Sequence, residues 1–120
     1  MTSAGVAVII TPEARADLDR IWSYIAQHNR QRAITFVREI GRHCFSLPQF
    51  PRRHPLVPGH ETSGIRRMPH GNDSVFYRVG EETIFILHIL NAAQDHEAIL
   101  FAQKEGGTDG DGTGIKPPFP

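Results

Sequence analysis

Histidine is the residue type in this chain best suited to chemistry, because imidazole can bind a metal ion or accept a proton from a substrate. The seven histidines stand at positions 28, 43, 54, 60, 70, 88 and 96. No two are spaced as H-x-x-x-H, and the single cysteine, Cys44, cannot complete a zinc set. His88 lies in an apolar segment, where we expect a hydrogen-bonded core or groove residue without an identifiable acid partner. The sequence therefore predicts no metal site and no cofactor.

Motifs for nucleophilic catalysis are also missing from the sequence. It contains neither Gly-x-Ser-x-Gly nor a glycine-rich phosphate loop. Residues 109–114 resemble the first half of a calcium loop, but Pro120 stands where the closing glutamate belongs. We therefore predict no catalytic residue and interpret this segment as part of a flexible tail.

Arginine is concentrated in the middle of the chain, although the 13 basic and 13 acidic residues balance overall. Residues 30–78 contain nine arginines and three acidic residues, a local net charge of +6. The planar guanidinium suits bidentate pairing with carboxylate or phosphate. This block therefore favours an acidic partner, and a solvated basic surface is the alternative.

Three of these arginines fall on predicted strands. Arg66 and Arg67 are consecutive, so their side chains are expected on opposite faces of the sheet. Arg78 lies on the next strand beside Tyr77. Together the three arginines could form a positive patch for a phosphate or an acidic peptide. The alternative is an ordinary surface on which their stems pack against apolar neighbours.

Two amphipathic helices are predicted after a first strand at residues 6–10, which is rich in β-branched side chains. Thr11-Pro12-Glu13 has the composition of a helix start. Apolar residues then repeat at spacings of three and four in two stripes, and Pro48 ends the second helix. The stripes are Ala14, Leu18, Ile21 and Ile25, then Ala33, Val37, Ile40, Cys44 and Leu47. The short break between them predicts an antiparallel helical hairpin.

The second half of the chain predicts a three-stranded antiparallel sheet. After an irregular proline-rich connection, strands are expected at residues 64–68, 74–79 and 83–90, and a short C-terminal helix at residues 96–103. The sheet is expected to meet the helices through Val75, Tyr77, Val79, Ile84, Ile86, Ile89 and Leu90. One helical hairpin on one face of such a sheet is an α+β architecture.

The predicted domain covers residues 1–103, and residues 104–120 are expected to form a disordered glycine- and proline-rich tail. The N-terminus lacks the features of a signal peptide. The longest apolar run, residues 84–90, is too short to span a bilayer. We therefore expect a cytoplasmic protein that does not contact a membrane.

The order and spacing of several short motifs resemble ParE-type toxins of the plasmid-stabilisation class, in the RelE/ParE toxin–antitoxin superfamily. The resemblance runs from residue 6 to about residue 103 and agrees with the element order predicted above. Its first motif is Val8-x-x-Thr11-x-x-Ala14-x-x-Asp17-Leu18-x-x-Ile21-x-x-Tyr24-Ile25. The others are Ala33 and Ile40, Leu47-x-x-x-Pro51, Gly64-x-Arg66-Arg67, and residues 75–79 and 84–90.

The resemblance implies a toxin that arrests growth, forms a hetero-oligomer with a neutralising ParD-like antitoxin, and poisons DNA gyrase. Relatives of RelE type instead cut messenger RNA on the ribosome with several basic residues and a late aromatic residue. This chain has Ser74, Gln94 and Leu100 at three of those positions, and only Arg66 or Arg67 matches a basic one. One basic group stabilises the transition state of phosphodiester cleavage poorly. We therefore favour gyrase inhibition, without hydrolysis and without direct binding of nucleic acid by the toxin alone.

Two alternatives stay open: a ribosome-dependent endoribonuclease, and a non-toxic relative that only binds a partner. The second arises because ParE-type toxins often keep a basic residue at the position of Gln94. The antitoxin is expected in the groove between hairpin and sheet, near Trp22, Ile25, Ile34 and Phe36. Trp22 and Phe36 are large residues at the margins of their stripes. The predicted contacts with antitoxin or target are Arg66, Arg67, Arg78, Tyr77, Trp22 and Phe36.

Overall fold

A computed structural model describes residues 6–101. The elements are β1 (Ala7–Ile10), α1 (Pro12–Ala26), α2 (Arg30–Ser46), β2 (Ile65–His70), β3 (Asp73–Val79), β4 (Thr83–Asn91) and α3 (His96–Phe101). This is the predicted α+β order. The predicted boundary between a domain over residues 1–103 and a tail over residues 104–120 lies outside the described residues.

Both long helices begin at side-chain caps. Thr11 Oγ1 accepts a hydrogen bond from the Ala14 amide at the start of α1, and Pro12 takes the first helical position. Asn29 Oδ1 accepts from the Arg32 amide at the start of α2. Only three residues separate the helices, so they form the predicted antiparallel hairpin.

The sheet has four strands in the order β1-β4-β3-β2. The pairs β2–β3 and β3–β4 are antiparallel, as predicted. Strand β1 lies parallel to β4, with Ala7 opposite Thr83 and Ile10 opposite Ile86. The helical hairpin therefore serves as part of the long crossover that a parallel pair requires.

The helices cover one face of the sheet, here called the helix face. Its buried strand residues pack with Ala14, Ile21, Phe36, Ile40, Cys44 and Leu47 of the hairpin and the turn after it. These strand residues are Met68, Val75, Tyr77, Ile84, Ile86 and Ile89. The opposite, outer face carries a second cluster of Ile65, Phe76 and Leu90, which Leu100 of α3 covers.

A β-bulge in β4 divides its side chains between these faces. Tyr77 pairs with Ile86 but Phe76 pairs with His88, so Leu87 is an extra residue on β4. The extra residue shifts the alternation by one, which places Ile89 on the helix face and Leu90 on the outer face. The prediction that Leu90 meets the helices is therefore wrong.

Helix α3 is held on the outer face by contacts beyond Leu100. The His60 ring stacks on the Phe101 ring with a centroid distance of 3.8 Å, and its Nε2 lies 2.6 Å from Glu97 Oε2. Within residues 6–101, no helix has the length and apolar character needed to cross a membrane. No group of three or more His, Cys, Asp or Glu side chains in the same range is placed to hold a metal ion.

Candidate binding surfaces

A buried carboxylate, Asp17 on α1, anchors the helix to the bulge in β4. Its Oδ2 lies 2.8 Å from His88 Nδ1 and accepts a 2.8 Å hydrogen bond from the Ile89 amide. Its Oδ1 accepts from the Arg20 guanidinium at 3.2 Å. A bulge interrupts the hydrogen-bond ladder, and here Asp17 satisfies an amide beside the interruption.

The Asp17–His88 pair was missed by sequence reasoning, which gave His88 no acid partner. The signal was present, because Asp17 stands three residues after Ala14 and four before Ile21, within the buried face of α1. In the described residues no serine, threonine or cysteine side chain is hydrogen-bonded to His88, so the pair lacks the nucleophile of a catalytic triad. The arrangement is a structural anchor.

Two residues predicted to contact a partner, Arg66 and Tyr77, form hydrogen bonds with the proline-rich loop after α2. The Tyr77 side chain is fully buried, and its hydroxyl donates to the Pro51 carbonyl at 2.8 Å. Arg66 Nη1 donates to the carbonyls of His54, at 2.8 Å, and Arg52, at 3.2 Å. Burial raises the pKa of the Tyr77 phenol. Tyr77 faces the core, which confirms the prediction that it meets the helices, and its buried side chain offers no open surface for the predicted partner contact.

Arg67 and Arg78 lie together on the outer face. Arg67 pairs with Phe76, and Arg78 pairs with Ile65, both members of the outer-face cluster. Both arginines are exposed, and they donate to Ser74 Oγ at 2.9 Å and to the Ser63 carbonyl at 3.2 Å. Arg66 shares the helix face with its partner Tyr77, so Arg66 and Arg67 point to opposite faces as predicted. The outer-face charge therefore comes from two arginines instead of three.

Exposed apolar side chains continue this surface towards β1. Ile9 is 45% exposed and Phe85 is 36% exposed, and the two residues are paired across β1 and β4. Phe85 is in turn paired with Arg78 on β3. Ile9, Phe85 and Arg78 thus form a continuous row across three strands, with Arg67 beside it. An apolar strip bordered by arginines has the composition of a partner-binding surface.

The two aromatic residues predicted to contact a partner differ in burial on the helical side of the molecule. Trp22 is half-buried, with the Arg30 guanidinium 5.6 Å from the centre of its ring. Phe36 is only 4% exposed and packs edge-on against His70. It lies three residues after Ala33 and four before Ile40, so Phe36 occupies the buried stripe and Val37 its margin. The prediction that Phe36 is an open residue is therefore wrong.

A cavity of about 680 Å³ opens between the C-terminal half of α1 and the ends of β3 and β4. Ile25, from the predicted groove, lines it together with Tyr24, which is 68% exposed. Asp73 lies on its opposite wall, and burial raises the pKa of that carboxyl. Gln94 also lines the cavity, and its carboxamide oxygen accepts from the Asn91 amide at 2.9 Å.

Comparison with known proteins gives a consistent result. The family model described as the ParE toxin of the type II toxin–antitoxin system parDE matches residues 8–96. Solved structures also share the fold, and two of them are toxin–antitoxin assemblies. A chromosomal ParDE toxin–antitoxin system from P. aeruginosa matches with 24% identity and a TM-score of 0.63, covering 72% of this chain and 96% of that one. The toxin–antitoxin complex RelBE2 from Mycobacterium tuberculosis matches with 21% identity and a TM-score of 0.51, covering 72% and 98%.

No curated protein is significantly similar in sequence to this chain. The family model nevertheless spans most of the described residues, from β1 to the first residue of α3. Its match includes the Asp17–His88 anchor, both long helices and all four strands. The chain therefore belongs to the ParE toxin family of type II toxin–antitoxin systems.

Proposed function

We propose that the protein is held inactive by a ParD-like antitoxin and that the free toxin acts by binding DNA gyrase, without cutting RNA. The observation that carries the choice against cleavage is the state of the three positions at which RelE-type relatives place catalytic groups. Ser74 is buried under the Arg67 side chain, Gln94 closes a turn, and Leu100 belongs to the outer-face core. Of the basic positions used by RelE-type relatives, only that of Arg67 carries an exposed basic side chain here, whereas cleavage needs several preorganised charges.

The antitoxin is proposed to bind the helical side, at the cavity lined by Tyr24 and Ile25 and at the neighbouring Trp22. Tyrosine and tryptophan are enriched among residues that dominate binding energy. An antitoxin segment that folds on binding could fill a cavity of this size with one or two side chains. In the free toxin the Tyr24 ring stays largely in water, so covering it removes apolar surface from solvent.

The outer-face row is the proposed contact for the target. Arg67 and Arg78 present exposed guanidinium groups beside Ile9 and Phe85. This combination suits an acidic protein surface that also has apolar side chains. Antitoxin and target would then occupy different surfaces, and the toxin would form a hetero-oligomer in its neutralised state. Both proposed partners are cytoplasmic, so we infer the same location for this protein.

The antitoxin proposal is tested by measuring the affinity of the toxin for the product of the neighbouring reading frame. Tyr24→Ala and Trp22→Ala are each expected to weaken the complex by about 1 kcal/mol or more, the threshold for a useful hot spot. Phe45→Ala is the matched control, because Phe45 is a 61% exposed aromatic residue near the other end of the hairpin. Equal affinity of all three variants and the unmodified protein would place the interface elsewhere.

The target proposal is tested by inducing the toxin alone in bacteria and assaying growth, gyrase supercoiling and messenger RNA. We expect growth arrest and inhibited supercoiling, both reduced by Arg67→Ala and unchanged by Arg15→Ala, which removes an exposed arginine from α1. Primer extension that reveals codon-specific cuts would instead support the endoribonuclease alternative. Absence of growth arrest from the unmodified chain would support the non-toxic relative.

A further inference from the structure

The end of α2 and the loop after it form an electropositive region that the proposed function does not use. Residues 40–60 include no aspartate or glutamate, but they include three arginines and three histidines. The nearest carboxylate along α2 is Glu39, which already contacts Arg32 and His70 at 3.2 Å each. The hydrogen bond from Arg32 is the main cause of the lowered pKa of Glu39. The Glu39 carboxylate is therefore already engaged by other side chains.

A cavity of about 260 Å³ lies in this region, between the last turn of α2, the following loop and β2. Its polar lining consists of His43, Ser46, Gln49, Arg53 and His54, without a carboxylate. The Arg53 guanidinium makes no hydrogen bond or ion pair with any other residue in the range 6–101. The residues that line this small space thus carry two imidazoles, a guanidinium and an amide, and none carries a counter-charge. A cationic cavity of this kind attracts an anion.

The loop that carries Arg53 and His54 is fixed from beneath. Tyr77 donates to the Pro51 carbonyl, and Arg66 donates to the Arg52 and His54 carbonyls. Three hydrogen bonds to three of the four residues 51–54 hold an otherwise irregular segment in one conformation. Donors that are held in place before a ligand arrives bind it with a smaller entropic loss. Arg66 and Tyr77 thus act as positioning residues for this cavity.

We propose that this cavity binds a phosphate group. The fork of Arg53 and the ring nitrogens of His43 and His54 supply the donor types that phosphate oxygens accept. Phosphate could come as the free anion or as the 5′-phosphate of a nucleotide. The Phe50 ring can distinguish these sources, because it is 65% exposed and forms a wall of both this cavity and a more open one beside it. A nucleotide base would stack on that ring.

The proton on His54 is expected to be coupled to the bound anion. Burial is the main cause of the lowered pKa of the His54 imidazole, and the electrostatic effects of Arg53 and His43 lower it further. The other titratable groups around it are Glu39 on α2, Arg66 and His70 on β2, and Tyr77 on β3, whose ring meets His54 edge-on. A bound anion stabilises the imidazolium, so it should raise the pKa of His54. Anion binding should therefore strengthen as pH falls through the histidine range.

The first test uses sulfate, which keeps its double charge across the histidine range, with the full-length protein. Calorimetry should show saturable binding that Arg53→Gln weakens by about tenfold or more, the effect of one charge-assisted hydrogen bond. Arg52→Gln is the matched control, because it removes the same charge one residue away, from a side chain that does not line this cavity. Both side chains are exposed, so both variants should retain the melting temperature of the unmodified protein.

A second measurement follows the His54 ring signal by NMR during a pH titration, with assignment by its loss in His54→Gln. Sulfate should raise the pKa of His54 in the unmodified protein and in Arg52→Gln, and much less in Arg53→Gln. Absence of saturable sulfate binding, or equal weakening by the two arginine substitutions, would overturn the proposal. These assays involve neither antitoxin nor gyrase, so their failure is distinguishable from failure of the proposed function.

The source of the phosphate is decided by comparing inorganic phosphate with adenosine monophosphate. Tighter binding of the nucleotide, lost in Phe50→Ala while phosphate binding is kept, assigns the site to a nucleotide. Equal affinity of the two ligands, insensitive to Phe50→Ala, assigns it to the free anion. Tighter nucleotide binding that is unaffected by both Phe50→Ala and Arg53→Gln would overturn the phosphate site.

Discussion

The Asp17 carboxylate is the most consequential polar group in the structure, and replacing it tests how α1 is fixed to the sheet. Asp17→Ala removes three hydrogen bonds at once, from Arg20, His88 and Ile89. The Ile89 amide belongs to a fully buried residue, so water cannot readily replace the lost acceptor. A buried donor without a partner costs about 1–3 kcal/mol, and breaking a buried ion pair costs about 3–5 kcal/mol.

Asp17→Ala is therefore expected to lower the free energy of unfolding by about 3 kcal/mol, since Arg20 and His88 are partly exposed and recover some hydration. For a domain of this size, that loss corresponds to a fall in melting temperature of about 12 °C or more. Asp17→Asn keeps the volume and one acceptor oxygen but turns an amide group towards a donor. We expect it to lose less, about 1 kcal/mol.

The assay is urea unfolding followed by circular dichroism, with Asp19→Ala as the control. Asp19 lies on the same helix with the same charge, but it is exposed. The control should stay within about 0.5 kcal/mol of the unmodified protein. If Asp17→Ala and Asp19→Ala were equally stable within that margin, the anchor at the bulge would contribute nothing to stability, and the reasoning would be refuted.

Three further predictions follow from burial and side-chain orientation. Arg66→Ala should lower the free energy of unfolding by about 1.5–3 kcal/mol, because two carbonyls lose their donor. Arg67→Ala should instead reduce toxicity with little change in a urea melt. The opposite assignment of the two phenotypes would contradict this prediction. Ile21→Ala should cost about 2–5 kcal/mol in the same melts, and a loss below about 0.5 kcal/mol would mean that this stripe is not buried. Burial raises the pKa of the Cys44 thiol to about 12, so a thiol reagent near neutral pH should react only as fast as the protein unfolds. Rapid labelling of the native protein would contradict that expectation.

Helix positions could be predicted because their signals are local. The Thr11 and Asn29 caps and the two apolar stripes lie within the segments that they organise. The stripes were less accurate in detail. They included Leu18 and Val37, which are only partly buried against the core, and left out the buried neighbours Asp17 and Phe36. Neighbouring residues on a helix differ in direction by about 100°, so a broad apolar face can be centred on either of two adjacent residues. Hydrophobicity favoured Leu18 as the buried residue. Asp17 is buried because its carboxylate accepts hydrogen bonds from His88 and the Ile89 amide of β4.

The candidate site residues were likewise predicted correctly only where a local pattern was sufficient. The alternation of a strand was enough to put Arg66 and Arg67 on opposite faces. It could not give the register of β2 against β3, and so it could not show that Arg66 shares the helix face with Tyr77 and holds the proline-rich loop while Arg67 meets solvent. Phe36 was predicted as a contact because it is a large residue at the margin of its stripe, and Tyr77 because it stands beside Arg78; both are core residues, as was also predicted for Tyr77.

The sequence by itself determined the element order, the helical hairpin, the antiparallel part of the sheet and the opposite orientation of Arg66 and Arg67. Each of these depends on residues that are close along the chain. Only the tertiary structure decided that β1 lies parallel to β4, that β4 bulges at Leu87, and that Asp17 reaches His88. The partners in the first and last of these contacts are more than 70 residues apart along the chain, and the bulge is an irregularity in the pairing of β4 with β3. Local periodicity holds no information about which distant segment supplies a hydrogen-bond partner.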